Sequence, residues 1–322
     1  MNTSPGVSAF LTASGIPAEH RLEPLTGGAN NRVYRISAGK QNWVLKQYFK
    51  REHDPRDRFA AEHDYYAAIW SSGVRQTPKP IAWDRAANLG LFEHIAGRKL
   101  EPDEVTKKRI DEALEFIIQT NQKAGKATLN PASEACFSLE QHLATVDRRI
   151  DRLQQITDGS AKTFVEKELS KRWLEITSRS SRSGTTELTA DQRCISPSDF
   201  GFHNALLQPD DTLKFFDFEY AGADDPAKLV CDFFCQPRLP SDLDHWDYFV
   251  ECLTAQCRWN EAFGARARNL LPVYQIKWCC IMLNEFLRTD SERRLFSTNS
   301  TDLESQKARQ LEQAKVALSA IA

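Results

Sequence analysis

No stretch of the 322-residue chain reaches the roughly 18 to 20 consecutive apolar residues that a membrane-crossing helix requires. The opening Met-Asn-Thr-Ser-Pro-Gly-Val-Ser-Ala-Phe has neither the basic start nor the apolar run of a secretory signal, so a cytoplasmic location is expected. The eight cysteines include no Cys-x-x-Cys pair. Cys231 and Cys235 lie one helical turn apart beside Asp232, Phe233 and Phe234, and Cys279-Cys280 sit between Trp278 and Ile281. Reduced thiols in apolar surroundings fit that pattern better than a disulfide framework or a zinc site. The net charge of −2 gives no sign of nucleic-acid binding. Gly-Lys-Ser/Thr is absent, which excludes a Walker A loop. Internal repeats and low-complexity tracts are missing as well.

What remains is a globular composition, 41% hydrophobic and 27% charged, long enough for one large domain or two lobes that share a cleft. Charge is unevenly spread: Glu187 to Glu261 holds fifteen acidic against five basic residues. Such an excess can attract a cationic substrate or hold metal, or it can cap helices and stay solvated. Val7–Ser14 reads as a short helix. Arg32–Ile36 and Trp43–Tyr48 alternate as strands around a Ser37-Ala38-Gly39-Lys40 turn. Asp57–Trp70 has helical spacing, and strands follow near Ile81–Trp83 and Leu89–Ile95. Ala96-Gly97-Arg98 is a natural joint. Beyond it the pattern is helical over 102–126, 139–156 and 161–177, with a polar loop at 179–184. Further helices are expected over 227–235, 246–259, 265–287 and 303–321.

The densest chemistry lies in Ser196-Pro-Ser-Asp-Phe-Gly-Phe-His-Asn204 and the following Phe215-Phe-Asp-Phe-Glu219. Asp199 and Asn204 stand five apart, with Asp217 thirteen further on. Phosphoryl transfer needs these residue types: a carboxylate to orient an attacking hydroxyl, and hard oxygens to hold Mg²⁺ against phosphates. Upstream, Lys46 interrupts the apolar Trp43-Val44-Leu45. A strand lysine usually faces solvent, but as a point charge it can also pair with phosphates. Glu62 on the next helix supplies a partner to fix it. Gly27 and Gly28, in Leu25-Thr-Gly-Gly-Ala-Asn-Asn31 before a strand, would let backbone N–H groups approach phosphate, although a Gly-Gly turn alone is a weak sign.

Together these motifs resemble the aminoglycoside phosphotransferase and choline-kinase-like family of small-molecule kinases, over about Leu25 to Phe286. The resemblance implies an α+β, protein-kinase-like bilobal fold. A small β-rich nucleotide-binding lobe would span 1–95, and a larger, mainly helical lobe with the catalytic loop and acceptor pocket 96–322. It implies ATP and Mg²⁺ as cofactors. Gly27, Gly28 and Asn30 would belong to the nucleotide loop, and Lys46 and Glu62 to the ion pair. Leu91-Phe-Glu-His-Ile-Ala-Gly97 is similar to the hinge, so that Glu93 and Ile95 would meet adenine through the backbone. Asp199 would be the catalytic carboxylate, and Asn204 and Asp217 the metal ligands. Asp225 and Asp232 match positions that look structural.

One departure stands out: the family's loop usually begins His-Gly-Asp, and here it reads Pro197-Ser198-Asp199. His203 occupies a position commonly taken by glycine, where it could contact substrate. The expected activity is transfer of the γ-phosphate of ATP to a hydroxyl of a small molecule: a sugar, amino sugar, amino alcohol or lipid- or nucleotide-linked headgroup. The Pro197 departure motivates a rival, a nucleotide-binding pseudokinase with a regulatory role, although Lys46, Glu62, Asp199, Asn204 and Asp217 are all present. A protein acceptor is disfavoured, since no Ala-Pro-Glu follows Asp217 and Phe218-Glu219 replaces Phe-Gly. The acceptor, the oligomeric state and the choice of ATP over GTP stay open.

Overall fold

The computed structural model describes residues 5–25, 31–49, 56–124, 128–179, 187–257, 259, 262–287 and 303–321. Gly27, Gly28 and Asn30 fall outside these, as does most of the polar 179–184 loop. The first helix, α1 (Pro5–Ala13), is followed by strands β1 (Arg21–Leu25), β2 (Arg32–Ala38) and β3 (Gln41–Gln47). After α2 (Arg58–Ser71) come β4 (Pro80–Asp84) and β5 (Leu89–Glu93). The five strands form one antiparallel sheet in the order β1-β2-β3-β5-β4. A tight turn through Gly39, at φ 57°, pairs Ala38 with Gln41; that left-handed backbone suits glycine. Asp57 caps α2 by accepting a hydrogen bond from the Ala60 N–H at 2.9 Å.

Strand alternation decides what this sheet can do. Ile36, Leu45, Leu89 and Leu91 pack with Val7, Phe10 and Leu11 of α1 on one face. The opposite face takes Val44 and Phe92, which join Tyr65, Tyr66 and Ile69 of α2 in the main core. Lys46, one residue past Leu45, is thereby turned toward α2 and away from solvent.

The second lobe is mainly helical: α3 (Lys107–Lys123), α4 (Leu139–Leu153), α5 (Gly159–Phe164), α6 (Ser170–Arg179), α7 (Pro226–Cys235), α8 (Trp246–Cys257), α9 (Ala262–Met282) and α10 (Leu303–Ser319). α9 packs against α4, α7, α8 and α10. Between α6 and α7 lie two small antiparallel ladders, β6 (Cys194–Ser196) with β9 (Gly222–Asp224), and β7 (Ala205–Leu207) with β8 (Leu213–Phe215). They carry the Ser196–Asp217 segment. The joint expected at Gly97 is a point of close approach: a side chain there would meet the Leu207 carbonyl oxygen at 2.8 Å. Backbone hydrogen bonds Arg98 N to Leu207 O (3.0 Å) and Leu207 N to Arg98 O (2.8 Å) tie the linker to β7.

Three helical expectations shift. The helix expected from Pro102 starts at Lys107, because Glu101 and Glu104 close a capping box around a separate 3₁₀ turn, Pro102–Glu104. The helix expected over 161–177 runs from Gly159 to Arg179 and contains a π-helical turn, Val165–Leu169. α9 begins three residues earlier than expected, carries Pro272 in its interior, and gives way to a 3₁₀ turn at Leu283–Phe286. All eight cysteines are unpaired thiols, five of them buried. Among the described residues no helix is long and apolar enough to cross a membrane.

Gly222 is the tightest point of this framework. A side chain there would lie 2.4 Å from the Asn130 carbonyl oxygen and 2.6 Å from the Ala132 nitrogen, both backbone atoms that hydrogen-bond Ala223. Gly222→Ala is expected to lower unfolding free energy by about 1–3 kcal/mol, as overpacking does. Urea titration would show this as a lower midpoint, and an unchanged midpoint would contradict the close approach.

Candidate active site

Lys46 is 7% exposed and pairs with two carboxylates at once, Glu62 Oε2 at 2.6 Å and Asp217 Oδ1 at 2.5 Å. Glu62, 1% exposed, is fully engaged: Oε2 also accepts from the Tyr48 hydroxyl at 2.7 Å, and Oε1 accepts from the Phe218 N–H at 3.1 Å. Tyr48 reaches Glu62 because it lies two residues beyond Lys46, on the same side of the chain. Burial alone would lower the Lys46 pKa, but the charges of Asp217 and Glu62 outweigh it and raise the pKa well above the ordinary lysine value. Burial raises the Glu62 pKa against the pull of Lys46. At Asp217 burial acts in the same upward sense, yet Lys46, with help from His203 and Lys99, holds the carboxyl below the usual aspartate range.

The catalytic-loop candidates are brought to the same place. Asn204 Nδ2 donates to the Asp199 carbonyl oxygen at 3.0 Å, and the Phe216 N–H donates to the Asn204 carbonyl at 3.0 Å. Asn204 is thus locked to Asp199 on one side and to the residue before Asp217 on the other. Ser198, Asp199 and Asp217 all have positive φ, at 51°, 25° and 70°. Such backbone costs of the order of 1–3 kcal/mol per residue and persists only where packing imposes it. Phe200, Phe202 and Phe218 impose it here. Phe200 packs on Phe116, Phe215 and Phe233, with centroids 5.0–5.6 Å apart, and Phe202 on Phe233 at 5.6 Å. Phe218 sits 4.6 Å from Tyr65.

The side chain of His203 is 8% exposed, with Nε2 3.4 Å from Asp199 Oδ1. Gly201 makes room for it: a side chain at 201 would lie 2.9 Å from His203 Nδ1 and 3.2 Å from Gln236 Cγ. Pro197 is buried, and the Ser196 hydroxyl accepts from the Ser198 N–H at 3.1 Å, so the turn into Asp199 is closed without a histidine at 197.

Of the hinge candidates, Glu93 is exposed and its Oε2 accepts from the Lys79 N–H at 3.1 Å. Ile95 is 7% exposed, and its backbone N–H and C=O take no partner among the described residues. Gly27, Gly28 and Asn30 lie outside the described residues. Asn31, next to them, donates from Nδ2 to Glu219 Oε2 and accepts from the Phe49 N–H at 3.1 Å. Sequence reading missed the links Asn31–Glu219 and Tyr48–Glu62. It missed Lys99 too, whose Nζ donates to the His203 carbonyl at 2.6 Å and lies 4.3 Å above the Phe216 ring. The Tyr48 link was readable from its spacing to Lys46, whereas Lys99 carried no signal beyond its closeness to Gly97.

Asp225 and Asp232 are structural, as expected. Asp225 caps α7 and binds His142 Nε2 (2.9 Å) and Arg266 Nε (2.6 Å). Asp232 accepts from Lys277 Nζ (2.7 Å) and Trp278 Nε1 (2.9 Å). Among the described residues no three His, Cys, Asp or Glu side chains gather to hold a metal by themselves. Asn204 and Asp217 offer an amide oxygen and a carboxylate from segments that the Phe216 N–H to Asn204 carbonyl bond holds side by side. This set suits Mg²⁺, which takes one or two protein ligands and completes its shell with water and substrate phosphates.

The model of the phosphotransferase enzyme family matches residues 21–247. No curated protein matches in sequence. Among solved structures, a choline/ethanolamine kinase family protein from Mesorhizobium loti shares 17% identity at a TM-score of 0.59, over 97% of this chain and 94% of its own. Choline kinase from Streptococcus pneumoniae shares 13% at 0.62, over 98% and 99%. A spectinomycin phosphotransferase, solved with ADP and spectinomycin, shares 10% at 0.60, over 98% of each chain. At these identities the likeness establishes the fold: a small antiparallel-sheet lobe joined to a helical lobe, as in protein-kinase-like enzymes.

The buried group around Lys46 has a measurable cost of disruption. Glu62→Ala strands Lys46 beside one carboxylate and leaves the Tyr48 hydroxyl and Phe218 N–H without their acceptor. Unfolding free energy is expected to fall by about 3–5 kcal/mol, nearer the lower figure because Asp217 still pairs with Lys46. A loss below about 1 kcal/mol in urea unfolding, the range of an exposed pair, would contradict the buried geometry.

Proposed function

The chain belongs to the phosphotransferase enzyme family, and on that premise we propose that it transfers the γ-phosphate of ATP to a hydroxyl group of a small molecule. The observation that carries this reading is the meeting of Lys46 and Asp217, 171 residues apart in sequence, at 2.5 Å, beside a loop that locks Asn204 to Asp199. We place the nucleotide side of the cleft in residues 1–95 and the acceptor side in 96–322, with Ile95 at the joint. The unpartnered backbone N–H and C=O of Ile95 offer a donor and an acceptor to the edge of a purine. Glu93 flanks that edge through its backbone. Gly27, Gly28 and Asn30 precede β2 and are assigned to the phosphates on the strength of the sequence.

The roles follow from charge and placement. Lys46, kept protonated by its two carboxylates, supplies a positive charge for the α- and β-phosphates, and Glu62 fixes its direction. Asp217 and the amide oxygen of Asn204 would hold Mg²⁺, which when bound neutralises charge on the phosphate oxygens. The Asp199 side chain is 39% exposed, open enough to accept a hydrogen bond from an incoming hydroxyl. It orients that oxygen toward the γ-phosphorus and takes its proton as the new P–O bond forms and the bond to ADP breaks. The positive φ of Asp199 and Asp217 aims both carboxylates from fixed turns instead of leaving them to free rotation.

Asp199→Asn keeps the shape of the side chain and removes its basicity. With an acceptor found from a metabolite panel by ADP release, kcat is expected to fall by about 10²–10⁴, the contribution of general acid–base catalysis. Affinity for Mg·ADP, which does not touch Asp199 in this scheme, should change little. Undiminished turnover would remove Asp199 from the mechanism. Mg-dependent nucleotide binding with no turnover on any acceptor would favour a regulatory pseudokinase.

A further inference from the structure

Among the described residues, the side chain that meets the Asp199 carboxylate is an imidazole. His203 Nε2 lies 3.4 Å from Asp199 Oδ1, whereas Asn204 reaches Asp199 through its backbone carbonyl, at 3.0 Å. Asp217, the other carboxylate of the cleft, is held by Lys46 at 2.5 Å. The terminal torsion of an aspartate is broad, so a turn that fixes the backbone of Asp199 does not by itself fix which oxygen faces an acceptor.

The imidazole itself has little freedom. His203 is the middle residue of a 3₁₀ turn, Phe202–Asn204. The Asn204 N–H closes that turn on the Gly201 carbonyl at 3.0 Å, and Lys99 Nζ donates to the His203 carbonyl at 2.6 Å. Phe202, just before it, is fully buried. The side chain of His203 is 8% exposed. Its Nδ1 is buried without a partner among the described residues and faces Gly201, where a side chain would lie 2.9 Å away. The hydrogen of the ring therefore belongs on Nε2: at Nδ1 it would be an orphaned buried donor, whereas at Nε2 it meets a carboxylate. A separation of 3.4 Å is longer than a formed hydrogen bond. Contacts at catalytic groups are often this loose before substrate docks and tighten when it does.

Resting on the phosphotransferase reading, we propose that His203 is a positioning residue for Asp199. Its Nε2–H holds Oδ1, which leaves Oδ2 turned toward the hydroxyl that Asp199 orients. No bond is made or broken at the imidazole: the hydroxyl proton goes to Asp199, and the Nε2 hydrogen stays on the ring. Gly201 belongs to the same device, because a side chain there would push the ring from its place.

Magnetic resonance of the ring nitrogens, in enzyme with isotopically labelled histidine, gives a first readout that needs no acceptor. The signals of His203, identified by their loss in His203→Gln, report which nitrogen carries hydrogen. Hydrogen on Nε2, with a nitrogen shift that moves in Asp199→Asn, is expected. An Nε2 without hydrogen, or a signal indifferent to Asp199, overturns the proposal. Turnover gives the second readout, on the acceptor found by ADP release from a metabolite panel. His203→Leu is expected to lower kcat by at least about tenfold, the cost of a misdirected catalytic group, with little change in acceptor KM or in Mg·ADP affinity. His203→Gln, whose amide nitrogen reaches as far as Nε2, is expected to recover most of that loss. His203→Asn, whose amide stops near Nδ1, is not. A smaller loss in His203→Leu, or recovery that does not distinguish glutamine from asparagine, overturns the assignment. A change in acceptor KM would make His203 a substrate contact, and an equal loss of Mg·ADP affinity would place it with the metal ligands; either result overturns it as well. A leucine variant that does not fold leaves the nitrogen readout standing. Wild-type enzyme that binds no Mg·ADP and turns over no acceptor would instead strike at the phosphotransferase reading.

Discussion

A single buried ammonium group shared by two carboxylates, one buried and one part-exposed, sets the terms for the rest of the molecule. Lys46 comes from the sheet, Glu62 from the helix packed beneath it, and Asp217 from the helical lobe. The group therefore adds a polar tie between three segments that also meet through the apolar packing of Phe92, Tyr65, Tyr66 and Phe218. Such a cluster is costly to bury unless every lone pair and proton finds a partner. Glu62 meets that condition with Lys46, Tyr48 and the Phe218 N–H. Asp217 does not meet it as fully: among the described residues its side-chain partner is Lys46, and its side chain is 36% exposed. Two carboxylates to one ammonium leave an excess of negative charge, and that excess faces the cleft, where a cation can offset it.

Placement of the proposed catalytic side chains depends on apolar neighbours in the chain. In Asp199-Phe200-Gly201-Phe202-His203-Asn204 and in Asp217-Phe218, each polar group borders a phenylalanine driven into the core. Phe200, Phe202 and Phe218 are 5%, 0% and 2% exposed. Burying one such ring contributes about 1.5–3 kcal/mol, comparable to the strain of a positive φ beside it. Packing of the rings thereby offsets the strain at Asp199 and Asp217. Gly201 fits between the two rings because the buried imidazole of His203 leaves no room for a side chain there.

The sheet and its ion pair were legible because strand alternation is a two-state choice. Once Leu45 faces α1, Lys46 must face α2, where Glu62 sits one turn into the helix. Residue types and spacing also carried Asp199, Asn204 and Asp217. Features that depend on distant backbone were not legible. Nothing local marks Gly222 as the point where Asn130 and Ala132 press against the chain, or the π turn at Val165–Leu169, or the capping box that splits Pro102–Glu104 from α3. The acidic excess invited a reading as a cation trap because a sequence shows charges without their partners. Lys228, with Arg266 and Lys277 from beyond the acidic stretch, meets Asp224, Asp225 and Asp232 only in three dimensions.

The loop has Pro197 where the resembling family usually has a histidine two residues before the proposed catalytic aspartate, and its geometry shows how Asp199 is held without it. Pro197 is buried and has no N–H to satisfy, so the turn closes through the Ser196 hydroxyl and the Ser198 N–H. Asn121 fixes the strand leading into that turn, accepting from the Ile195 N–H at 2.9 Å and donating to the Ile195 carbonyl at 3.2 Å. On the far side, Asn204 holds the Asp199 carbonyl and His203 lies against its carboxylate. Support that would come from ahead of the aspartate comes here from behind it, in the same stretch of chain that meets Lys99 and Gln236. The residues that brace Asp199 are therefore neighbours of Lys99 and Gln236. A change in how the loop is braced would, in this chain, also reach the contacts of Lys99 with His203 and of Gln236 with Gly201.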